Sequence, residues 1–147
     1  MARRNKQGYY KLKNPEKYKG NANKIRFMSS WELSFDQFLD NNPNIISWAS
    51  EEIKIPYIKP TDGRIHHYYP DYWIKYKNKQ GNMIQEIIEV KPDKEIRPPK
   101  NVGKNKKTQL YENLTWIINS AKWEAAGQFC AKYNIKFRLI TEKQLFK

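Results

Sequence analysis

The chain has 147 residues, with 28 Lys+Arg against 15 Asp+Glu, a net charge of +13 and one cysteine. That length suits one domain with a real core, able to bury roughly 68–70% of its unfolded surface, and the charge suits a polyanionic partner. With no apolar run of about 18 residues, no apolar segment behind Met1-Ala2-Arg3-Arg4, no zinc-spaced Cys/His cluster and no partner for Cys130, the sequence argues against a membrane span, a secretory signal and a disulfide, and for a reducing cytoplasm.

The charge is unevenly spread. Residues 1–28 carry nine Lys/Arg, Arg26 among them, against Glu16 alone; residues 92–107 carry six against Asp93 and Glu95; residues 29–69 are net acidic by three. Two basic segments around an acidic centre suit a DNA nuclease, because phosphates bind the arms and metal ions bind the carboxylates. Residues 1–28 read as a basic, partly ordered N-terminal arm and 29–147 as the folded domain.

Asn14-Pro15-Glu16 has the form of a helix start, predicting a short turn near 15–19 that Gly20 ends. Ser29-Ser30-Trp31-Glu32 opens the first strong helix, with Trp31, Phe35, Phe38 and Leu39 at helical spacing and Asn41-Asn42-Pro43 as the stop. Two roles stay open for Glu32: returning a hydrogen bond in a capping box with Ser29, or reaching a metal site as a further carboxylate. Ile45 to Ala49 and Ile53 to Tyr57 read as short strands, Pro60-Thr61-Asp62-Gly63 as a turn, and Ile65 into Ile74 as one strand. On that strand His67, Tyr69 and Asp71 share a face, which makes His67 a candidate contact to phosphate or base.

From Tyr69 to Lys91 the pattern is a hairpin. Tyr72, Ile74 and Tyr76 alternate with Asp71, Trp73 and Lys75, Ile84 and Ile88 alternate with Gln85 and Glu89, and Asn78-Lys79-Gln80-Gly81-Asn82 lies between. An odd loop centred on Gln80 places Asp71 opposite Glu89, with Cβ atoms roughly 4.5 to 5.5 Å apart. A two-residue loop would put them on opposite faces; Gly81 favours the odd loop. Facing carboxylates repel, which raises a pKa or calls in a cation, and Mg²⁺ accepts one or two carboxylates plus phosphate oxygens. Lys91 shares the Glu89 face and could orient a water or neutralise a phosphate.

Prolines and Gly103 predict irregular structure over 92–107, a basic loop leaving from Lys91 with Lys94, Arg97, Lys100, Lys104, Lys106 and Lys107 as phosphate contacts. Arg26, in the first basic segment, joins that set. Thr108 is expected to cap a long helix with the apolar stripe Leu110, Leu114, Ile117, Ile118, Ala121 and Ala125, ending near Tyr133-Asn134. Trp116 and Trp123 read as packing residues and Cys130 as a buried thiol. Ile135 to Ile140 forms a last strand, and Thr141-Glu142-Lys143-Gln144 caps a terminal turn.

This order of elements, with Pro70-Asp71 and Glu89-Val90-Lys91 on the hairpin, resembles the restriction-endonuclease-like PD-(D/E)xK core: an α/β (α+β) fold with a central mixed sheet flanked by helices. Ser29-Ser30-Trp31-Glu32-Leu33, the stretch Asn42 to Glu52, His66 and Tyr68, and Glu89-Val90-Lys91-Pro92 resemble the head completion nucleases of T4-like tailed bacteriophages, from about Asn14 to the C-terminus. A more distant likeness is to the transposase endonuclease subunit TnsA. The resemblance implies a Mg²⁺-dependent endonuclease, with Mn²⁺ as a substitute, in which Asp71 and Glu89 hold metal, Lys91 assists the attacking water and Glu32 completes the site. It further implies double-stranded DNA and phage portal or neck proteins as partners, a role in head completion and DNA-end processing after packaging, and residence in the host cytoplasm or with the virion. The rivals are a non-catalytic DNA-binding virion structural protein on the same fold, and an RNA-binding protein whose aromatic residues stack on bases.

Overall fold

A computed structural model describes residues 6–145. Its strands are β1 (Gly8–Tyr9), β2 (Arg26–Phe27), β3 (Ile45–Ser50), β4 (Ile55–Ile58), β5 (Ile65–Tyr68), β6 (Tyr72–Lys77), β7 (Met83–Val90) and β8 (Lys136–Ile140); its α-helices are α1 (Ser30–Asn41), α2 (Lys106–Lys132) and α3 (Glu142–Leu145). The central sheet runs β3-β6-β7-β8, and β1-β2 and β4-β5 form two small ribbons. β3, β6 and β7 pair antiparallel, while β8 lies parallel to β7. A parallel neighbour needs a crossover, and α2 supplies it. The α/β architecture expected from the sequence, a mixed sheet between helices, is the one found.

Alternation along β6 and β7 sends Tyr72, Ile74, Ile88 and Val90 to one face, where they pack with Trp31, Phe35 and Leu39 of α1. Ile87 goes to the other face, with Ala126 and Cys130 of α2 and Ile55, Tyr57 and Tyr68 of the β4–β5 ribbon. β7 is therefore buried on both faces, the usual condition of a central strand. Cys130 is a buried thiol whose pKa burial pushes up to about 11.

The N-terminal segment is more integrated than an arm. Tyr10, Tyr18, Ile25 and Phe27 belong to the α1-side core, and the Lys19 amide donates to the Trp48 carbonyl at 2.9 Å, covering the outer edge of β3. Asp40 fastens it: its carboxylate accepts from the Tyr10 hydroxyl at 2.6 Å and the amides of Lys13 and Asn14 at 2.8 and 3.0 Å. The expected turn after Asn14 is a 3-10 helix over Pro15–Lys17. The part of the predicted arm at residues 1–5 lies outside the described residues.

Four local expectations are corrected. The strand predicted from Ile65 into Ile74 breaks at Tyr69-Pro70-Asp71, because Pro70 has no amide to continue a ladder, and its halves join different sheets. Residues 92–107 are not wholly irregular: Asp93–Ile96 is a 3-10 helix, and α2 begins at Lys106. The cap of α2 is Asn105, whose side chain accepts from the Thr108 amide at 2.8 Å, in place of Thr108. Finally, the predicted stripe on α2 is buried only in part. Leu110, Leu114 and Ile117 are exposed, while Ile118, Ala121 and Ala125 pack. A helix of 27 residues is about 40 Å long, so its first half overhangs the sheet. Trp116 and Trp123 pack edge to face at 5.9 Å, as expected of packing residues.

Candidate active site

The hairpin register is the odd one. Tyr72 pairs with Ile88 and Lys77 with Met83, so the ladder is centred on Gln80 and brings Asp71 opposite Glu89. The five-residue turn is closed by the Asn78 amide donating to the Asn82 carbonyl at 2.9 Å, with Gly81 at φ 85°, a left-handed value that glycine adopts without strain.

The two acids are tied together through the backbone. The Asp71 amide donates to Glu89 Oε1 at 3.2 Å, and the Val90 amide donates to Asp71 Oδ2 at 2.8 Å. Tyr68 adds its hydroxyl to Glu89 Oε1 at 2.8 Å, and Lys91 Nζ stands 3.7 Å from Glu89 Oε2. Among the described residues Asp71 Oδ1 and Glu89 Oε2 accept no hydrogen bond.

Burial, then the Glu89 carboxylate, holds the Asp71 carboxyl well above the usual range, with the Val90 amide opposing and Glu32 adding to it. Burial likewise raises Glu89, against Lys91, the Tyr68 hydroxyl, the Asp71 amide and Lys122. A buried Glu89 and a half-buried Asp71 that resist joint ionisation, with Asp71 Oδ1 free of hydrogen bonds and Glu89 Oε2 facing Lys91 at 3.7 Å, match the donor chemistry of a hard divalent cation. Among the described residues no three His, Cys, Asp or Glu side chains converge tightly enough to cage an ion by themselves. A Mg²⁺ site does not require that, since water and phosphate fill most of its positions.

Glu32 keeps both of its sequence-predicted possibilities in view. It sits in the first turn of α1, where its amide donates to Ser29 Oγ at 3.2 Å and its Oε2 accepts from Ser29 Oγ at 3.0 Å and from the Met28 amide at 3.2 Å. That is a capping arrangement, yet the same carboxylate raises the pKa of both Asp71 and Glu51.

Sequence reasoning missed several neighbours. Glu51 follows β3 with φ 55°, an uncommon value for a non-glycine residue, and its amide donates to the Asp71 carbonyl at 3.0 Å. Burial, then Glu32 and Glu89, raises its pKa, while Arg26 lowers it, which sets the exposed Arg26 on this side of the molecule. Asp36 is wholly buried one turn beyond Glu32 and accepts from the Tyr72 hydroxyl at 2.6 Å. Burial lifts its pKa to about 8 against that bond. The i, i+4 repeat of Glu32, Asp36 and Asp40 was the one signal available.

The predicted nucleic-acid contacts divide. His67 is exposed on β5, opposite Pro56 and outside the sheet that carries Asp71, so the shared face expected for the two is lost. Arg97 pairs with Asp93 at 3.2 Å and Lys104 with Glu112 at 2.5 Å. Lys94, Lys100, Lys106 and Lys107 are exposed. Lys94, Arg97, Lys100, Tyr111 and Trp116 line a groove of about 590 Å³ between this loop and α2.

Comparison with known proteins fits this geometry. Residues 42–142 match the family described as TnsA-like endonuclease N terminal. The chain belongs to the TnsA-like endonuclease family. It is also 39% identical over 142 residues to the head completion nuclease of Enterobacteria phage T4, covering 94% of this chain and 92% of that relative. The nuclease function expected from the sequence follows from membership in the TnsA-like endonuclease family, whose matched span begins after α1 and takes in Asp71, Glu89 and Lys91 but not Glu32. No helix among the described residues is long and apolar enough to cross a membrane.

Proposed function

We propose that the chain is a Mg²⁺-dependent DNA endonuclease that hydrolyses phosphodiester bonds at Asp71, Glu89 and Lys91, with Mn²⁺ able to substitute. The reading is carried by two reciprocal bonds, the Asp71 amide donating to Glu89 Oε1 at 3.2 Å and the Val90 amide donating to Asp71 Oδ2 at 2.8 Å, which hold the two carboxylates side by side. Asp71 Oδ1 and Glu89 Oε2 would hold the ion, and Glu32 would complete its surroundings through coordinated water. When bound, the ion supplies Lewis-acid polarisation of the scissile phosphate and a more acidic attacking water. Lys91 orients that water and offsets charge growing on the phosphate as it is attacked in line. Tyr68 holds Glu89 in the rotamer that faces Asp71.

The exposed Lys94, Lys100, Lys106 and Lys107, together with Arg26, grip the duplex backbone; Arg97 and Lys104 join them by exchanging a carboxylate for a phosphate. The likeness to the phage T4 head completion nuclease supports a role in finishing the phage head and processing DNA ends after packaging, with portal or neck proteins as neighbours and residence in the host cytoplasm or the virion.

The test is cleavage of supercoiled and linear DNA by purified protein with and without Mg²⁺. Asp71→Ala is expected to abolish cleavage while DNA affinity persists. Intact DNA in the presence of Mg²⁺, despite firm binding, would leave the rival reading, a DNA-holding virion protein on a nuclease fold.

A further inference from the structure

Beside Glu89 and Lys91, on the α2 face of the sheet, stand two further lysines, Lys122 and Lys59, to which the sequence assigns no role. Lys122 enters from α2, with its Nζ 5.7 Å from the ring centroid of Tyr68 and 5.9 Å from that of Tyr57. Tyr68 is the residue whose hydroxyl meets Glu89 Oε1. Lys59 follows strand β4, whose Ile55 and Tyr57 pack with Ala126 and Cys130 of α2; burial lowers the pKa of Lys122, the Glu89 carboxylate raises it, and the charges of Lys91 and Lys59 lower it. All three lysines are half-buried.

One carboxylate, Glu89, faces this charge and acts on both Lys91 and Lys122. Among the described residues neither Lys59 nor Lys122 makes a side-chain ion pair, and Glu89 is already engaged by Lys91, Tyr68 and the Asp71 amide. Asp62, the other acid near Lys59, is held by His66 at 2.7 Å and by the Arg64 amide at 2.9 Å. An ammonium resting on aromatic faces keeps its full charge available. Three like charges gathered within a half-buried corner repel one another, and an anion relieves the repulsion.

We propose that Lys122, Lys59 and Lys91 form a phosphate subsite beside Glu89 that receives a backbone phosphate of the DNA strand next to the one being cut. The ligand class rests on the nuclease reading above. The β4–β5 ribbon, packed on α2 through Ile55, Tyr57 and Tyr68, thereby becomes a substrate-binding element. Lys91 links the subsite to the reacting phosphate.

The experiment is duplex-DNA affinity in EDTA, measured by fluorescence anisotropy across a salt series. Loss of one phosphate contact lowers the slope of log affinity against log salt by about 1 and weakens binding uniformly across sequences. Lys122→Gln is expected to do so, Lys122→Arg to keep the wild-type slope, and Lys79→Gln, on the β6–β7 turn, to leave it unchanged. Should Lys122→Gln melt early, Lys59→Gln on the ribbon reads the same contact. Wild-type slopes for both glutamine variants, or a wild-type protein that does not bind duplex DNA, would overturn the subsite. Because no metal or cleavage enters the assay, a reduced slope alongside absent cleavage sinks the nuclease reading alone, and unchanged slopes alongside intact cleavage sink the subsite alone.

Discussion

Tyr68 and Glu89 meet across two different sheets: the hydroxyl of a residue on the β4–β5 ribbon donates at 2.8 Å to a carboxylate at the end of the central strand β7. The bond fixes the Glu89 side chain from outside, and removing it frees the carboxylate without altering its charge. On the proposed role of Glu89, Tyr68→Phe is expected to raise the Mg²⁺ concentration needed for cleavage, or to lower the rate, by roughly 10- to 100-fold, the range found when a group that orients a metal ligand is removed. Mg²⁺ titration of the cleavage rate reads the effect; an unchanged titration would show that Glu89 needs no such support.

Asp71 and Glu89 face each other at a cost to the fold. Asp71→Asn keeps the acceptor for the Val90 amide but removes the repulsion, so in EDTA this variant is expected to melt above the wild type. Added Mg²⁺ should then raise the melting temperature of the wild type, by mass action on the folded state, and leave the variant unmoved. Equal responses to Mg²⁺ would place the ion elsewhere.

Asp36 has no part in that pair; burial raises its pKa, the Tyr72 hydroxyl opposes this, and Glu32, Glu51 and Asp40 add to it. Its folded pKa of about 8 lies above the ordinary value of 3.8. Between those values the folded state binds more protons than the unfolded state, so its contribution is fully present at low pH and is lost as pH rises toward 8. The slope is at most about 1.4 kcal/mol per pH unit. Asp36→Asn, which keeps an acceptor for Tyr72, is expected to flatten the stability profile and to gain on the wild type from pH 5 to pH 8. Parallel urea-unfolding profiles for the two proteins would overturn this.

Asp40 holds the N-terminal segment through one hydroxyl and two backbone amides. Asp40→Ala leaves these donors without their acceptor and should cost about 3 kcal/mol or more. Hydrogen exchange should localise the loss to residues around 8–19, with β6 and β7 spared. Uniform loss of protection would mean that the segment and the sheet unfold as one.

The overhanging half of α2 offers a contrast with the core. Leu114→Gln, at an exposed position, is expected to change stability by less than about 0.5 kcal/mol. Ile88→Ala, wholly buried on β7, should cost roughly 2–5 kcal/mol. Chemical denaturation of the two variants measures both, and a large loss at Leu114 would show that the predicted stripe is packed after all.

How far the sequence reaches depends on whether the governing pattern is local. The period-two alternation of β6 and β7 and the glycine in their turn already imply the pairing of Asp71 with Glu89, because register follows from loop parity and side-chain direction. The capping of α1 by Ser29 and the buried thiol of Cys130 were legible for similar reasons. Other features depend on what packs over an element. The apolar stripe of α2 fits a buried helix, but only the extent of the sheet beneath decides that Leu110 and Leu114 stay in solvent. Tyr68 and Lys122 reach Glu89 because a two-stranded ribbon and a crossover helix fold onto one face, contacts between residues far apart in the chain that no short spacing encodes. Asp36 and Asp40 look like surface acids until Tyr72 and Tyr10 cover them. The sequence by itself determined the face and register of the two hairpin acids, through stereochemistry that acts over a few residues. Tertiary structure alone decided which tyrosines and lysines surround them, since burial and long-range charge exist only once the layers have closed.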